Sequence, residues 1–355
     1  MKQLVSLLIS LLLIAVTLVG CSGSPLSANP AVEGIQLTTI TSGRFHEYPL
    51  PQTGNGLMRP VIDQNGDIWF GEMEYNHLSV FSPHNALLQQ IPIPEGANGI
   101  MGLTVAPDNT IWFAEQYGNF IGHYTPTTRE FQRYPLTLLE HNKQQLPSAP
   151  NSLAVDQQGN IWFTELNADM IGVLNPRTGA IKQYALTEHK TVQQYAPYSL
   201  TIDKQGVVWF TLSNKPLLGR LDPPTGKVTL IEIPEKQNRL MEITHDAEGA
   251  IWATGFEQGL VLKYKPTTQQ FAVYRAAHEP KRANGVYGIL SQQNGDIWVV
   301  STSENAIAQL KHGEQQFRYY RIPTASSMPL GLVEGPDGTF WFTETGGNRI
   351  ASFKP

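Results

Sequence analysis

The sequence predicts an all-β fold: one seven-bladed β-propeller of four-stranded blades, closed by an N-terminal strand that completes the last blade. Three observations carry this expectation. All seven tryptophans fall in one repeated motif, a glycine or asparagine stands three residues before each, and a strand-like segment upstream of the first repeat matches the strand that the last repeat lacks.

The motif reads Ile68-Trp69-Phe70, Ile111-Trp112-Phe113, Ile161-Trp162-Phe163, Val208-Trp209-Phe210, Ile251-Trp252-Ala253, Ile297-Trp298-Val299 and Phe340-Trp341-Phe342. Consecutive tryptophans lie 43, 50, 47, 43, 46 and 43 residues apart. A period in the forties with several short strands per unit is that of a propeller. Three residues before each Trp stands Gly66, Asn109, Gly159, Gly206, Gly249, Gly295 or Gly338. These residue types accept positive φ, so a tight turn joins a first strand to the Trp strand. Nine residues after it come Leu78, Ile121, Ile171, Leu218, Val261, Ile307 and Ile350, the apolar middle of a third strand. Turns such as Pro176-Arg177-Thr178-Gly179 then lead into fourth strands such as Phe131-Gln132-Arg133-Tyr134, which alternate apolar and polar.

Unit seven ends before a fourth strand. The upstream segment Arg44 to Leu50 resembles the outer strand Glu130 to Leu136 at Phe, Tyr, Pro and Leu in the same register. It is expected to complete blade seven and so remove the open sheet edges.

A chain of 355 residues, 41% hydrophobic and 15% charged, is too apolar for disorder and has no collagen repeat. Its net charge of −5, without a basic tract, argues against a nucleic-acid partner. One cysteine excludes an intrachain disulfide and a cysteine-based metal site. That cysteine follows Lys2, an apolar run from Leu4 to Leu18, and Leu18-Val19-Gly20. The charged start and short run read as a secretory signal, too short for a membrane span. Leu18-Val19-Gly20-Cys21 resembles the lipobox of bacterial lipoproteins, which implies lipidation at Cys21. Ser22 in place of Asp points by the same resemblance to the outer membrane, facing the periplasm. The expected organisation is a signal peptide over 1–20, a flexible tether over 21–40 and a single propeller over 41–355, monomeric and held to the membrane by its lipid.

First strands running down the channel place the mouth of the top face eleven residues before each Trp. Those residues are Met58, Met101, Asn151, Tyr198, Met241, Tyr287 and Leu330. An apolar, aromatic rim of this kind suits a small-molecule or peptide ligand. Three residues past Trp stand Glu72, Glu115, Glu165 and Glu344 in adjacent blades. Two readings stay open for them: each braces its own blade, or they share Mg or Ca, which take oxygen ligands. Asn76, Asn119, Asp169, Asn305 and Asn348, seven past Trp, read as turn formers. His245 reads as packed or solvated near the bottom turn. The longest connections, Thr137 to Pro150 and Thr187 to Pro197, carry His141 and His189 and are lids or solvated loops.

The repeat Gly-x-Ile-Trp-Phe-Thr-Glu, Asn-x-Ile-Gly and Pro-x-Thr-Gly, as in 159–165 and 171–179, resembles the virginiamycin B lyase, or streptogramin lyase, family over all seven units. The resemblance implies a seven-bladed propeller that opens a cyclic depsipeptide by Mg-assisted elimination, a base taking the proton α to the ester carbonyl. The family's Glu-x-His places His eleven residues before Trp; none of the seven mouth residues is His, and none of those two earlier is Glu. The resemblance therefore leaves a binding propeller without chemistry as the first reading. The alternative is a metal-dependent lyase with Glu115, Glu165 or Glu344 as ligands and a base from His141 or His189. A lactonase-like hydrolase is a third, weaker option.

Overall fold

The computed structural model describes residues 32–54, 56–94, 99–141, 143–188, 191–236, 238–276 and 285–355. Seven antiparallel sheets stand around one axis, and the expected blades are all present. Blade three shows the pattern: Pro150–Val155, Ile161–Glu165, Met170–Leu174 and Ile181–Ala185 pair in order. Its first strand packs against those of blades two and four. The same contact runs around the ring and closes between Pro329–Glu334 of blade seven and Val61–Ile62 of blade one. The first strands therefore line the channel. The face on which they begin is the top.

The turn before each Trp strand is left-handed as expected, with φ from 65° at Asn109 to 87° at Gly295. The residue six before Trp sets that turn. Asp203 Oδ1 accepts from the backbone N–H groups of Gln205 and Val207, and its Oδ2 accepts the indole N–H of Trp209 at 2.8 Å. Asp63, Asp156 and Asp246 do the same for Trp69, Trp162 and Trp252, and Gln292 Oε1 accepts the indole N–H of Trp298. A buried indole N–H is thus satisfied. Each such Trp packs into the next blade: Trp209 lies with Ile243, Ala253, Leu262 and Tyr264 of blade five. The following Phe points to the other face of its sheet, toward the blade before: Phe163 lies with Trp112 and Tyr134 of blade two. Gly172 on the third strand leaves room for it, because a Cβ there would come within 2.2 Å of the Phe163 ring.

The N-terminal strand Phe45–Pro49 pairs with Arg349–Phe353 in the predicted register, Phe45 opposite Phe353 and Tyr48 opposite Ile350. Phe45 stacks on Phe353 at 4.8 Å and Tyr48 on Trp341 at 5.9 Å. Two short strands extend the expected four. Ile35–Gln36 adds to Leu87–Pro92 of blade one, and Ile40–Ser42 adds to Phe45–Pro49. The tether expected over 21–40 is corrected for its last residues. Leu37 is buried with Tyr48 and Leu50, and this apolar anchor holds the segment on the outer edges. The signal segment and Cys21 lie outside the described residues.

Phe45 is buried against Phe342 and Phe353, so Phe45→Ala is expected to cost about 3–5 kcal/mol in urea unfolding. A loss under about 0.5 kcal/mol would mean that the ring does not need its N-terminal strand.

Candidate functional site: the mouth and axis of the channel

The seven mouth residues owe their position to a repeated irregularity. In blades two to seven the ladder between first and second strands slips, between Pro150 and Leu153 in blade three and between Pro197 and Leu200 in blade four. Two residues, the eleventh and tenth before Trp, then oppose one. Such a bulge bends the strand and re-aims its side chains. In blades three, four and five the threonine two past Trp satisfies the backbone it frees. The hydroxyls of Thr164, Thr211 and Thr254 accept from the N–H groups of Ser152, Ser199 and Glu242, at 3.1, 3.0 and 3.0 Å. The same hydroxyls donate to the carbonyls of Tyr198, Met241 and Tyr287 in the following blade. The Thr thus ties a bulge to its neighbour.

At the mouth, Asn151, Met58 and Tyr198 are buried, and Met101, Met241, Tyr287 and Leu330 are half-buried. Asn151 Nδ2 donates to the Tyr198 carbonyl at 2.7 Å, and Gln116 Nε2 donates to Asn151 Oδ1 at 3.1 Å. The Tyr198 and Tyr287 hydroxyls hydrogen-bond to each other across blades four and six. Tyr287 also sits edge-on to Phe256 at 6.2 Å. Burial pushes the pKa of both phenols up, Tyr287 well above its ordinary value, so both stay neutral.

One layer further down is a pair that sequence reading missed. Arg59 of blade one reaches Glu242 of blade five across the axis, Nη1 to Oε1 at 2.7 Å. Ser199 Oγ donates to Glu242 Oε2 at 3.1 Å, and the guanidinium lies 5.4 Å from the centre of the Tyr198 ring. Burial disfavours the Arg59 charge, but the Glu242 carboxylate together with the Tyr198 and Tyr287 oxygens outweighs it and the pKa is raised. The signal was present: ten residues before Trp stand Arg59, Gly102, Ser152, Ser199, Glu242, Gly288 and Gly331, one cation and one acid among small residues. A cavity of about 170 Å³ lies below, bounded by this layer and the next.

The four post-Trp carboxylates are fully buried. Glu72, Glu115 and Glu165 are each held by the outer strands of their own blade. Gln90 Nε2 donates to both Glu72 oxygens at 2.8 and 2.9 Å, with Ser79 Oγ at 2.5 Å. Arg133 forms a two-point ion pair with Glu115, its Nε at 3.0 Å from Oε1, and Gln183 donates to both oxygens of Glu165. Burial raises the pKa of Glu115 and Glu165 in spite of these donors. Among the described residues no group of three or more His, Cys, Asp and Glu is placed to hold a metal ion. With the oxygens of Glu72, Glu115 and Glu165 already engaged within their own blades, these residues do not fit a shared Mg or Ca. For Glu72, Glu115 and Glu165 these bonds are those of the bracing reading.

Blade seven departs from this scheme. Its outer strand comes from the N-terminus and brings Glu47 where blades one to three have Gln or Arg. The Glu344 carboxyl lies beside Glu47 and Thr324, and Glu47 in turn accepts from Arg349 Nη1 at 3.0 Å. Burial, then the Glu47 charge, push Glu344 up to about 9.

Of the histidines, His141 is exposed on a hairpin of Leu139–His141 with Gln144–Leu146. His189 lies outside the described residues. His245 is half-buried, its Nδ1 3.0 Å from Thr201 Oγ1, and burial lowers its pKa. Asn76, Asn119, Asp169, Asn305 and Asn348 all have positive φ, as expected of turn formers. Three of them also latch the next blade. Asn119 and Asn305 accept from Ser148 and Ser327, and Asp169 accepts from the N–H groups of residues 194 to 196.

A folded-state pKa of about 9 means that Glu344 keeps a proton that the unfolded chain releases above about 4.5. Stability should therefore fall as pH rises through that window. Glu344→Gln mimics the protonated form and restores an amide–carboxylate pair. It is expected to match wild type below pH 4.5 and to exceed it by about 1–3 kcal/mol at pH 8. Parallel pH profiles of urea unfolding would show that Glu344 is ionised in the folded protein.

The virginiamycin B lyase family profile matches residues 32–280 and 243–355. Among solved structures, the virginiamycin B lyase of Staphylococcus aureus is 23% identical, with a TM-score of 0.76 over 88% of this chain and 99% of its own. A streptogramin B lyase is 25% identical, with a TM-score of 0.76 over 87% of this chain and 96% of its own. A catalytically inactive S. aureus variant with Quinupristin is 22% identical at the same TM-score, over 88% and 99% of the two chains. A search of curated proteins found no match. The match along almost the whole described propeller, with the seven blades that the repeat forms, makes this chain a member of the virginiamycin B lyase family.

Proposed function

We propose that this protein is a lipid-anchored, extracytoplasmic propeller that binds a ring-shaped or aromatic ligand at its top face and does not carry out elimination. The observation that carries the reading is the composition of the mouth. The seven side chains eleven residues before Trp are three Met, two Tyr, one Asn and one Leu, and none is a base able to take a proton α to a carbonyl. Three of the four acids that would hold a metal, Glu72, Glu115 and Glu165, are engaged within their own blades. What is left at the mouth is polarizable, aromatic and closely set, and such surfaces bind flat or cyclic ligands by contact rather than by charge. A streptogramin B depsipeptide is the first ligand to try, since an inactive relative was solved with Quinupristin.

The anchor is proposed from sequence. Cys21→Ser is expected to move the protein from the membrane fraction to the soluble extracytoplasmic fraction and to abolish palmitate labelling. Retention in the membrane with full labelling would refute it.

The function is tested by incubating the protein with a streptogramin B depsipeptide and Mg²⁺. Elimination leaves the mass unchanged, so the product is read by chromatography. The expected result is an unopened ring and a calorimetric binding signal that Tyr287→Ala weakens by roughly five- to tenfold, about 1–1.4 kcal/mol. A linear product forming at catalytic rates would establish the lyase reading instead. A hydrolysed product, heavier by one water, would favour the lactonase-like one.

A further inference from the structure

Ligand binding at the top face leaves the inside of the channel unexplained. Below the Tyr198–Tyr287 bridge, the cavity of about 170 Å³ is bounded by Arg59, Ser152, Ser199 and Glu242, with glycine and aliphatic residues from the remaining blades. The eleventh residues before Trp do not line it, so it lies on the far side of the tyrosines from the mouth. Its volume is that of roughly five waters at about 30 Å³ each, or of one small organic molecule.

The hydrogen-bonding of its polar wall is incomplete. Arg59 Nε and Nη2 are shielded from solvent and have no acceptor. Glu242 Oε1 touches Arg59 Nη1 at 2.7 Å but receives no hydrogen bond in good geometry. Ser199 is used on Glu242 Oε2, and Ser152 faces Ser199 at 3.5 Å. Buried donors and acceptors left unpaired each cost free energy on the scale of a lost hydrogen bond, and more beside charge. An occupant that supplies both an acceptor for the guanidinium and a donor for the carboxylate removes that cost. Its net charge is constrained as well. Arg59 and Glu242 cancel, so a lone anion or cation would leave an uncompensated charge in a buried site, whereas a zwitterion would not.

We propose that the channel below Tyr198 and Tyr287 binds a small zwitterion, an α-amino acid whose carboxylate accepts from Arg59 Nε and Nη2 and whose ammonium donates to Glu242 Oε1. The site is separate from the mouth and does not depend on what the mouth binds. The cavity restricts the ligand to small side chains such as those of glycine, alanine and serine, and excludes tryptophan.

The test is thermal unfolding of the purified full chain in glycine, alanine, serine or tryptophan, beside acetate and methylammonium at equal concentration. A ligand that binds only the folded form raises the midpoint. The expected result is a rise of about 2–5 °C with the small amino acids at saturation and none with acetate, methylammonium or tryptophan. The double variant Arg59→Met with Glu242→Leu removes both charges together, a change that buried ion pairs tolerate far better than loss of one partner. It is expected to fold and to lose the rise. No rise with any amino acid, an equal rise with acetate alone, or a rise that survives in the double variant each overturns the proposal. Should the double variant not fold, the Arg59 Nε–H signal in a ¹⁵N-arginine spectrum, assigned with Arg59→Lys, supplies the second readout. It should move on adding glycine, and a signal that does not move overturns the proposal.

Discussion

Closure of the ring is the constraint on which the rest of this structure depends. Seven sheets around an axis expose no long edge only if the last is complete, and here its fourth strand comes from the other end of the chain. The join is apolar and aromatic: Phe45 on Phe353, and Tyr48 between Trp341 and Phe81. Closure fixes which blades face each other. Blade one lies across from blade five, and blade four is within hydroxyl reach of blade six at the tyrosines. The same join explains the anomaly of Glu344. A strand supplied from the N-terminus carries Glu47 into a place where blades one to three use an amide or a guanidinium.

Crowding at the axis explains the second layer of detail. Neighbouring first strands approach closely at the centre, and those of blades two to seven bend there through a bulge. A bulge frees backbone polar groups, and buried polar groups must be satisfied. The threonine after Trp-Phe does so in blades three, four and five and links each to the blade that follows. What remains at the centre is a narrow space whose chemistry is decided by a few side chains, above all Arg59 and Glu242.

The features legible in the sequence are those that repeat. Tryptophan spacing, the left-handed turn before it and the register of Phe45 against its partner recur in unit after unit, so local pattern was enough. The indole acceptor six residues before Trp recurs too, in Asp63, Asp156, Asp203 and Asp246, and could have been read in the same way. The roles of the buried glutamates were also written at fixed spacing. Gln90, Arg133 and Gln183 stand eighteen residues after Glu72, Glu115 and Glu165, which is the register of second to fourth strand. Arg59 and Glu242 are different. Each occurs once, and their meeting follows only from the number of blades and the closing of the ring. Likewise the two-residue strand Ile35–Gln36 is too short for any periodicity to reveal, and is set by the outer edge on which it lies.

Family membership supplies the scaffold, and the side chains at the axis decide what the scaffold does. The Arg59–Glu242 pair stands at the centre of a closed seven-bladed ring, and it can form only if the ring closes with these two blades opposed. A double-mutant cycle at the two positions, measured by urea unfolding, tests this most directly. Arg59→Met and Glu242→Leu are each expected to destabilise by about 3–5 kcal/mol alone, and the double variant to cost far less than their sum, a coupling above about 2 kcal/mol. Additive losses would contradict it, because residues that do not face each other across the axis have nothing to couple.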